Sequence, residues 1–168
     1  NALMRQAGIS KNDLGVYHLG FLLGPRLNAM GRIYHALDSV RLLCTSNQDR
    51  AEVLVQKLES ANQERQLITN RALATLSKII VKEKLAKEKL IFVYHPSLHS
   101  GVIGLVAGKL TDQFYRPSVV LSSEDGFFRA SCRSIRGFNI IKALRKVDCL
   151  VDVGGHPLAA GFTVEKKN

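Results

Sequence analysis

The stretch KLIFVYHPSLHSGVIGLVAGKLTDQFYRPSVVLSS, residues 89–123, decides the fold class. It opens with a short β-rich run, KLIFVYH (89–95). In GVIGLVAGKLTDQF (101–114), Val102, Ile103, Val106 and Leu110 fall at three- and four-residue steps, the spacing of one helix face. RPSVVLSS (116–123) returns to β-branched residues, and its Pro117 cannot donate to a ladder. Strand, helix and strand in so short a stretch predict a sheet covered by helices.

Downstream, FFRASCRS (127–134) alternates Phe128, Ala130 and Cys132 against Phe127, Arg129, Ser131 and Arg133, a period-two strand with one polar face. FNIIKALRKV (138–147) has helical spacing again. CLVDV (149–153) and GFTVEK (161–166) are strand-like, and a third helix is expected at 156–160. The expected class over residues 89–168 is therefore α/β, a mixed five-stranded sheet with flanking helices.

Upstream, residues 47–88 contain neither glycine nor proline and predict one long helix. Ser46 or Asn47 can cap it, and Asp49 and Glu52 suit its positive dipole end. Ala51, Leu54, Leu58, Ala61, Ile68, Ala72, Leu76 and Ile79 form a one-sided apolar stripe. About 38 helical residues at 1.5 Å each span roughly 55–60 Å. Such a helix bridges two bodies or pairs with another helix; the alternative is a two-helix hairpin broken near Asn70. Residues 1–46 carry short apolar stretches broken by glycines, with Gly24-Pro25 as a turn signal.

The bulk numbers bound the partners. At 168 residues and 46% apolar the chain can bury a core. No run of eighteen apolar residues is present, which excludes a spanning helix. No apolar h-region opens the chain, so no secretory signal is visible, and the first residue is not Met. A segment of a longer cytoplasmic protein is expected. The net charge of +10 favours an anionic partner, nucleic acid foremost. Cys44, Cys132 and Cys149 are isolated, as reduced thiols are in a reducing compartment, and no zinc site is expected.

Cations concentrate in FRASCRSIRGFNIIKALRKV (128–147), which holds Arg129, Arg133, Arg136, Lys142, Arg145 and Lys146 and no acid. Two guanidiniums flanking the Ser131 hydroxyl on one strand face suit a phosphate. In HPSLHSGVIG (95–104), His99 stands before a glycine-rich helix start, where backbone amides bind anions, or is a loop histidine satisfied by its own turn, the reading that the residues alone favour. His95 and His99 do not make a helical HxxxH metal pair, because Pro96 follows the first. In LLGPRLNAMGR (22–32), Arg26 and Asn28 face a phosphate or a base, or tie the loop to a neighbouring helix; the residues leave both open. His18 and His35 are expected to be structural or at the surface. No GxSxG supports a serine nucleophile, and the seven Asp and seven Glu form no DxD, HxD or HExxH. In DVGGHPLAAGF (152–162), Gly154 and Gly155 permit a turn and a close approach to a ligand, and Ala159, Ala160 and Gly161 keep the next element slim; the residues leave open whether His156 points outward or is satisfied in the core.

Taken in order, GPRLNAMGR (24–32), the long charged helix with NQERQ (62–66), LHSGVIGLVAGKL (98–110), RPSVVLS (116–122), SCRS (131–134), GFNIIKAL (137–144) and GGHPLAAGFT (154–163) resemble the C-terminal part of the catalytic core of the RecJ family of bacterial single-strand-specific DNA exonucleases. The resemblance covers nearly the whole chain. It implies two lobes joined by a long helix: a DHH lobe holding Mn2+ or Mg2+ on Asp and His residues, and a DHH-associated domain that grips the nucleic acid. It implies residues 1–46 as the remnant of the first lobe, 47–88 as the connecting helix and 89–168 as the gripping domain. The chain has no DHH triplet, so no metal is expected here and the segment alone is expected to bind weakly without cutting. The resemblance further implies a phosphate contact at Arg26 and a 5′-end phosphate pocket at Ser131 and Arg133. It adds a nucleic-acid contact at His99, and Gly154, Gly155 and His156 facing the metal centre. It implies single-stranded DNA, the absent lobe, and helicase or single-strand-binding proteins as partners, in DNA repair and recombination. Leu98 replaces the family's usual Trp, and Cys132 stands where Ala is common. The alternatives are a related phosphodiesterase for short oligonucleotides or cyclic dinucleotides, and a non-catalytic nucleic-acid-binding module.

Overall fold

A computed structural model describes residues 2–167. The chain divides into two compact units, one ending at Leu67 and the other beginning at Ile68.

The first unit is helical. It comprises α1 (Ala2–Gln6), a 3-10 turn (Lys11–Asp13), a π-helical turn (His18–Leu23), α2 (Gly24–Ile33), α3 (Leu37–Cys44) and the first part of α4 (Gln48–Lys82). Gly24-Pro25 does not break the chain, contrary to the turn expected there. Proline lacks an amide and is tolerated in a first helical turn. The Gly24 amide reaches back to the Leu19 carbonyl, closing the wide turn that feeds α2. A Cβ at Gly24 would lie 2.9 Å from that carbonyl oxygen, so the junction requires glycine. The core joins Ala29 and Met30 of α2 to Leu58 and Ala61 of α4. The Ser39 hydroxyl donates to the Leu27 carbonyl at 2.7 Å and ties α3 to α2. Val16, Tyr17, Leu19 and Phe21 are exposed, with the Tyr17 and Phe21 rings stacked 5.2 Å apart.

Helix α4 is capped by Asn47, whose Oδ1 accepts the Arg50 amide at 2.8 Å. It runs unbroken through Asn70, which removes the hairpin alternative. Its 35 residues end at Lys82 rather than near 88. Lys84 is left-handed, with φ 58°, and the chain then makes a 3-10 turn at Leu85–Lys87. The buried stripe includes the polar Asn62 and Thr69 beside Leu54, Leu58, Leu76 and Ile80. Asn62 uses its Oδ1 to accept Arg65 Nη2 at 2.8 Å.

The second unit carries β1 (Ile91–Tyr94), α5 (Ile103–Phe114), β2 (Ser118–Glu124), β3 (Phe127–Arg133), α6 (Ile140–Leu144), β4 (Leu150–His156) and β5 (Ala159–Glu165). The strand order is β1-β2-β3-β5-β4. β1 and β2 are parallel and the other pairs antiparallel, so the expected mixed five-stranded sheet with flanking helices is present. α5 crosses between the parallel strands and packs on β2 and β3, burying Val102, Ile103, Val106, Ala107 and Leu110. On the other face Ile140 and Ile141 of α6 meet Val119, Leu121, Ala130, Cys132, Ala160, Phe162 and Val164. Covered on both faces, β2 is buried from Ser118 to Ser122, which is why its sequence shows no alternation.

Two helix expectations change. The helix expected over 138–147 is one short element, capped by Asn139 Oδ1 on the Lys142 amide at 3.0 Å. No helix forms at 156–160. β4 runs on to His156, Pro157 and Leu158 make the tip, and Ala159 begins β5. The tip is pinned where its carbonyls accept the Ile140 and Ser134 amides at 3.1 and 2.9 Å. Alanine favours helices, but cross-strand pairing outweighs that local preference.

Candidate nucleic-acid interface

Strand register assembles the site. On β3 the side chains of Ala130 and Cys132 enter the α6-side core, so Arg129, Ser131 and Arg133 share the α5 side. Directly opposite residues of an antiparallel pair share a face. Arg133 pairs with Ala159, and Ala159 with His156. Ser131 pairs with Gly161, and Gly161 with Gly154. Arg129 pairs with Thr163, and Thr163 with Asp152. Three rows of three thus cross β3, β5 and β4 on one face. Arg133 and His156 stand two strand spacings apart, about 10 Å between Cα atoms.

This face has a wall and a floor. α5 stands on the β3 side, where a Cβ at Gly104 would lie 3.0 Å from Ser131 Oγ and 3.3 Å from Arg133 Nη2. Towards β4 the face opens. Ala159 and Gly161 are half-buried, and Gly154, Gly155 and His156 are exposed. Glycine and alanine give this floor no projecting side chain.

Gly155 is the tightest point. Its φ is 140°, and a Cβ there would lie 2.4 Å from the Ala159 carbonyl oxygen and 2.5 Å from Ala160 Cα. The glycine pair therefore does not turn the chain, as the sequence suggested. It lets β4 close onto β5 while leaving His156 in solvent at the hairpin's end. His156 Nδ1 accepts the Leu158 amide at 3.4 Å.

The charged groups differ in availability. Arg133 Nη1 donates to Ser131 Oγ at 3.3 Å and to the Cys132 carbonyl at 2.9 Å. Among the described residues no carboxylate pairs with it. Arg129 pairs with Glu124 at 2.9 Å, an acid just upstream of the acid-free stretch. Arg136, Lys142, Arg145 and Lys146 are exposed.

His99 is exposed at the entry to α5, its Nδ1 accepting the Gly101 amide at 3.0 Å. Leu98 is buried. His95 serves its own turn, accepting the Ser97 amide at 3.2 Å. Cys132 is buried, and burial pushes its thiol up to about 12, so it is an inert core group. Cys44 and Cys149 are free and exposed.

The sequence candidates of the first unit sit differently. Arg26 Nε donates to Glu59 at 2.7 Å and its Nη1 to the Leu22 carbonyl at 2.8 Å, with both side chains of the ion pair under one-fifth exposed. Arg26 thus clamps α2 to α4, the helix-tying alternative, and its fork is not turned to a ligand. Asn28 is exposed on α2. Tyr34 hydroxyl donates to Glu64, and this contact raises the phenol's pKa. His18 and His35 accept the Gly15 and Leu37 amides, structural roles as expected.

Sequence reasoning missed Gly104, Ala159, Gly161 and Thr163 as parts of the face. Asp152 was missed too, although Asp152, Gly154 and His156 recur at the two-residue step that marks one strand face. Among the described residues no three of His, Cys, Asp and Glu converge to hold a metal ion. Nor is any helix there long and apolar enough to cross a membrane.

With the geometry in view, the comparisons are decisive. The DHHA1 domain family model matches residues 87–168, which include the whole sheet. The chain is 37% identical over 166 residues, 95% of its length, to the single-stranded-DNA-specific exonuclease RecJ of Bacillus subtilis. It is 34% identical over 98% of its length to RecJ of Escherichia coli. A crystal structure of RecJ in complex with Mn2+ from Thermus thermophilus superposes with a TM-score of 0.82 at 29% identity, covering 98% of this chain and 24% of that one. Residues 87–168 match the DHHA1 domain, and nearly the whole chain is similar to one part of RecJ. The chain spans 21% of the Bacillus RecJ and 30% of the Escherichia RecJ. The likeness to RecJ extends to the order of motifs along the sequence and to the mixed sheet behind the face.

Proposed function

We propose that this chain is the strand-gripping part of an exonuclease that hydrolyses single-stranded DNA from the 5′ end to mononucleotides. One observation carries the reading: the Ser131–Arg133 pair lies at the walled end of an open, smooth floor. A strand on that floor must stop at α5, so the cup beside α5 receives an end. A terminal phosphate brings charge, and Arg133 and Ser131 bring a fork and a hydroxyl to meet it. Its neighbour along the strand falls between Arg133 and His156. An imidazole there can donate a hydrogen bond to the first phosphodiester and stabilise charge developing on it. Holding the end at one cup and the chemistry one step along gives products of one nucleotide.

Among the described residues the acids and histidines do not assemble a metal site, and in this reading the hydrolytic ion, Mn2+ or Mg2+, is held by the rest of the protein. It supplies an activated water. The exposed Val16, Tyr17, Leu19 and Phe21 are in this reading the face that meets the remaining lobe. Arg26 serves by holding α2 to α4. His99 borders the path of the strand in the sheet unit. The three free thiols suit a reducing cytoplasm, and the activity suits DNA repair and recombination.

The test is a nuclease assay with manganese on this polypeptide and on the full-length protein. The polypeptide is expected to bind single strands weakly and to leave them intact, while the full-length protein degrades them. Robust cleavage by the polypeptide overturns the division of labour.

A further inference from the structure

α5 carries two glycines within a helix, where alanine would be more stable. They differ in surroundings. A Cβ at Gly108 would meet nothing within 4 Å. A Cβ at Gly104 would meet Ser131 Oγ at 3.0 Å and Arg133 Nη2 at 3.3 Å. The space left by the missing methyl is therefore bounded by the hydroxyl and the guanidinium at once. It lies where α5 closes the face, in a residue only half-buried. A methyl group there takes up room within about hydrogen-bonding distance of both donors. It offers no hydrogen bond in return and pushes the Arg133 fork aside.

We propose that Gly104 determines end specificity. By lacking a side chain it lets α5 pass close to Ser131 and Arg133 without displacing them, so that both stay placed to meet a terminal phosphate and strands ending in a 5′-phosphate are preferred over strands ending in a hydroxyl. This rests on the reading of Ser131 and Arg133 as the end-binding cup and adds the residue that sets its size. A phosphate monoester has three free oxygens and needs more room than the hydroxyl that replaces it. Narrowing the cup therefore penalises phosphate ends selectively.

The experiment compares kcat/KM of the full-length protein on one oligonucleotide sequence carrying either a 5′-phosphate or a 5′-hydroxyl. Gly104→Ala is expected to lower the phosphate-to-hydroxyl preference about ten-fold or more, the loss that accompanies a charged hydrogen bond. Gly108→Ala, the same substitution one turn along, keeps the preference. Ser131→Ala and Arg133→Ala lower it. A preference unchanged in Gly104→Ala but lowered in Ser131→Ala and Arg133→Ala overturns the role of Gly104 and leaves the cup. A preference unchanged in all three overturns the cup and the inference together. An equal loss on both kinds of end in Gly104→Ala also overturns the inference, because the methyl then disturbs helix packing rather than phosphate.

Discussion

Arg26 and Arg133 look alike in sequence, each basic, beside polar residues and between apolar neighbours, yet they do opposite things. In the helical unit Arg26 finds Glu59, 33 residues away along the chain, and is spent on holding two helices. In the sheet unit Arg133 finds a hydroxyl and a carbonyl, and among the described residues no carboxylate pairs with it. A guanidinium is structural when a carboxylate meets it in space and available when only neutral acceptors do. Local sequence reports the residue and not the acid that arrives from elsewhere.

The largest test of this contrast removes the floor on one side only. Gly155→Val places a branched side chain on the Ala159 carbonyl and Ala160 at a φ of 140°. It is expected to cost the sheet unit about 3–5 kcal/mol, to abolish strand binding, and to leave the helical unit folded. Hydrogen exchange resolved by unit measures this, and loss of protection in both units together would break the comparison. The next test exchanges the two arginines' fates. Arg133→Ala is expected to weaken binding of 5′-phosphorylated single strands roughly 10- to 100-fold with little change in Tm. Arg26→Ala leaves Glu59 half-buried without its partner. It is expected to cost about 1–3 kcal/mol of stability while leaving affinity nearly unchanged. Denaturant melts and anisotropy titrations on both variants separate the cases.

A smaller effect lies in acid. Asp38 accepts from Arg41 at 2.8 Å and lies 3.4 Å from Lys57, and the hydrogen bond from Arg41 first of all holds its carboxyl below the usual range. A lowered folded-state pKa stabilises above the ordinary carboxylate value and is lost as pH falls from about 4 towards the folded value. The helical unit should therefore lose stability on that limb, and Asp38→Asn should flatten it. An unchanged acid limb in a pH series of melts would remove Asp38 from the account.

Much of the fold was legible because its signals were local. Period-two alternation at 127–133, helical spacing at 102–110 and a glycine-free run through α4 each report one element's own geometry. What failed depended on partners distant in sequence. Ala159 and Ala160 look helical until β3 and β4 pair on either side of β5. Gly24-Pro25 looks like a break until the Gly24 amide finds Leu19. Of the candidate site, the basic row stood out in composition and spacing, while His156 entered only through the resemblance. Gly104 did not stand out, because its meaning lies in what its missing side chain would touch on β3, beneath α5.

The most direct test of the open face is amide exchange of the full-length protein with and without a 5′-phosphorylated single strand in EDTA. The account predicts slowed exchange at 154–161, on the exposed end of β4 and the β4–β5 tip, with residues 24–32 unaffected. Slowed exchange at 24–32 with none at 154–161 would contradict it.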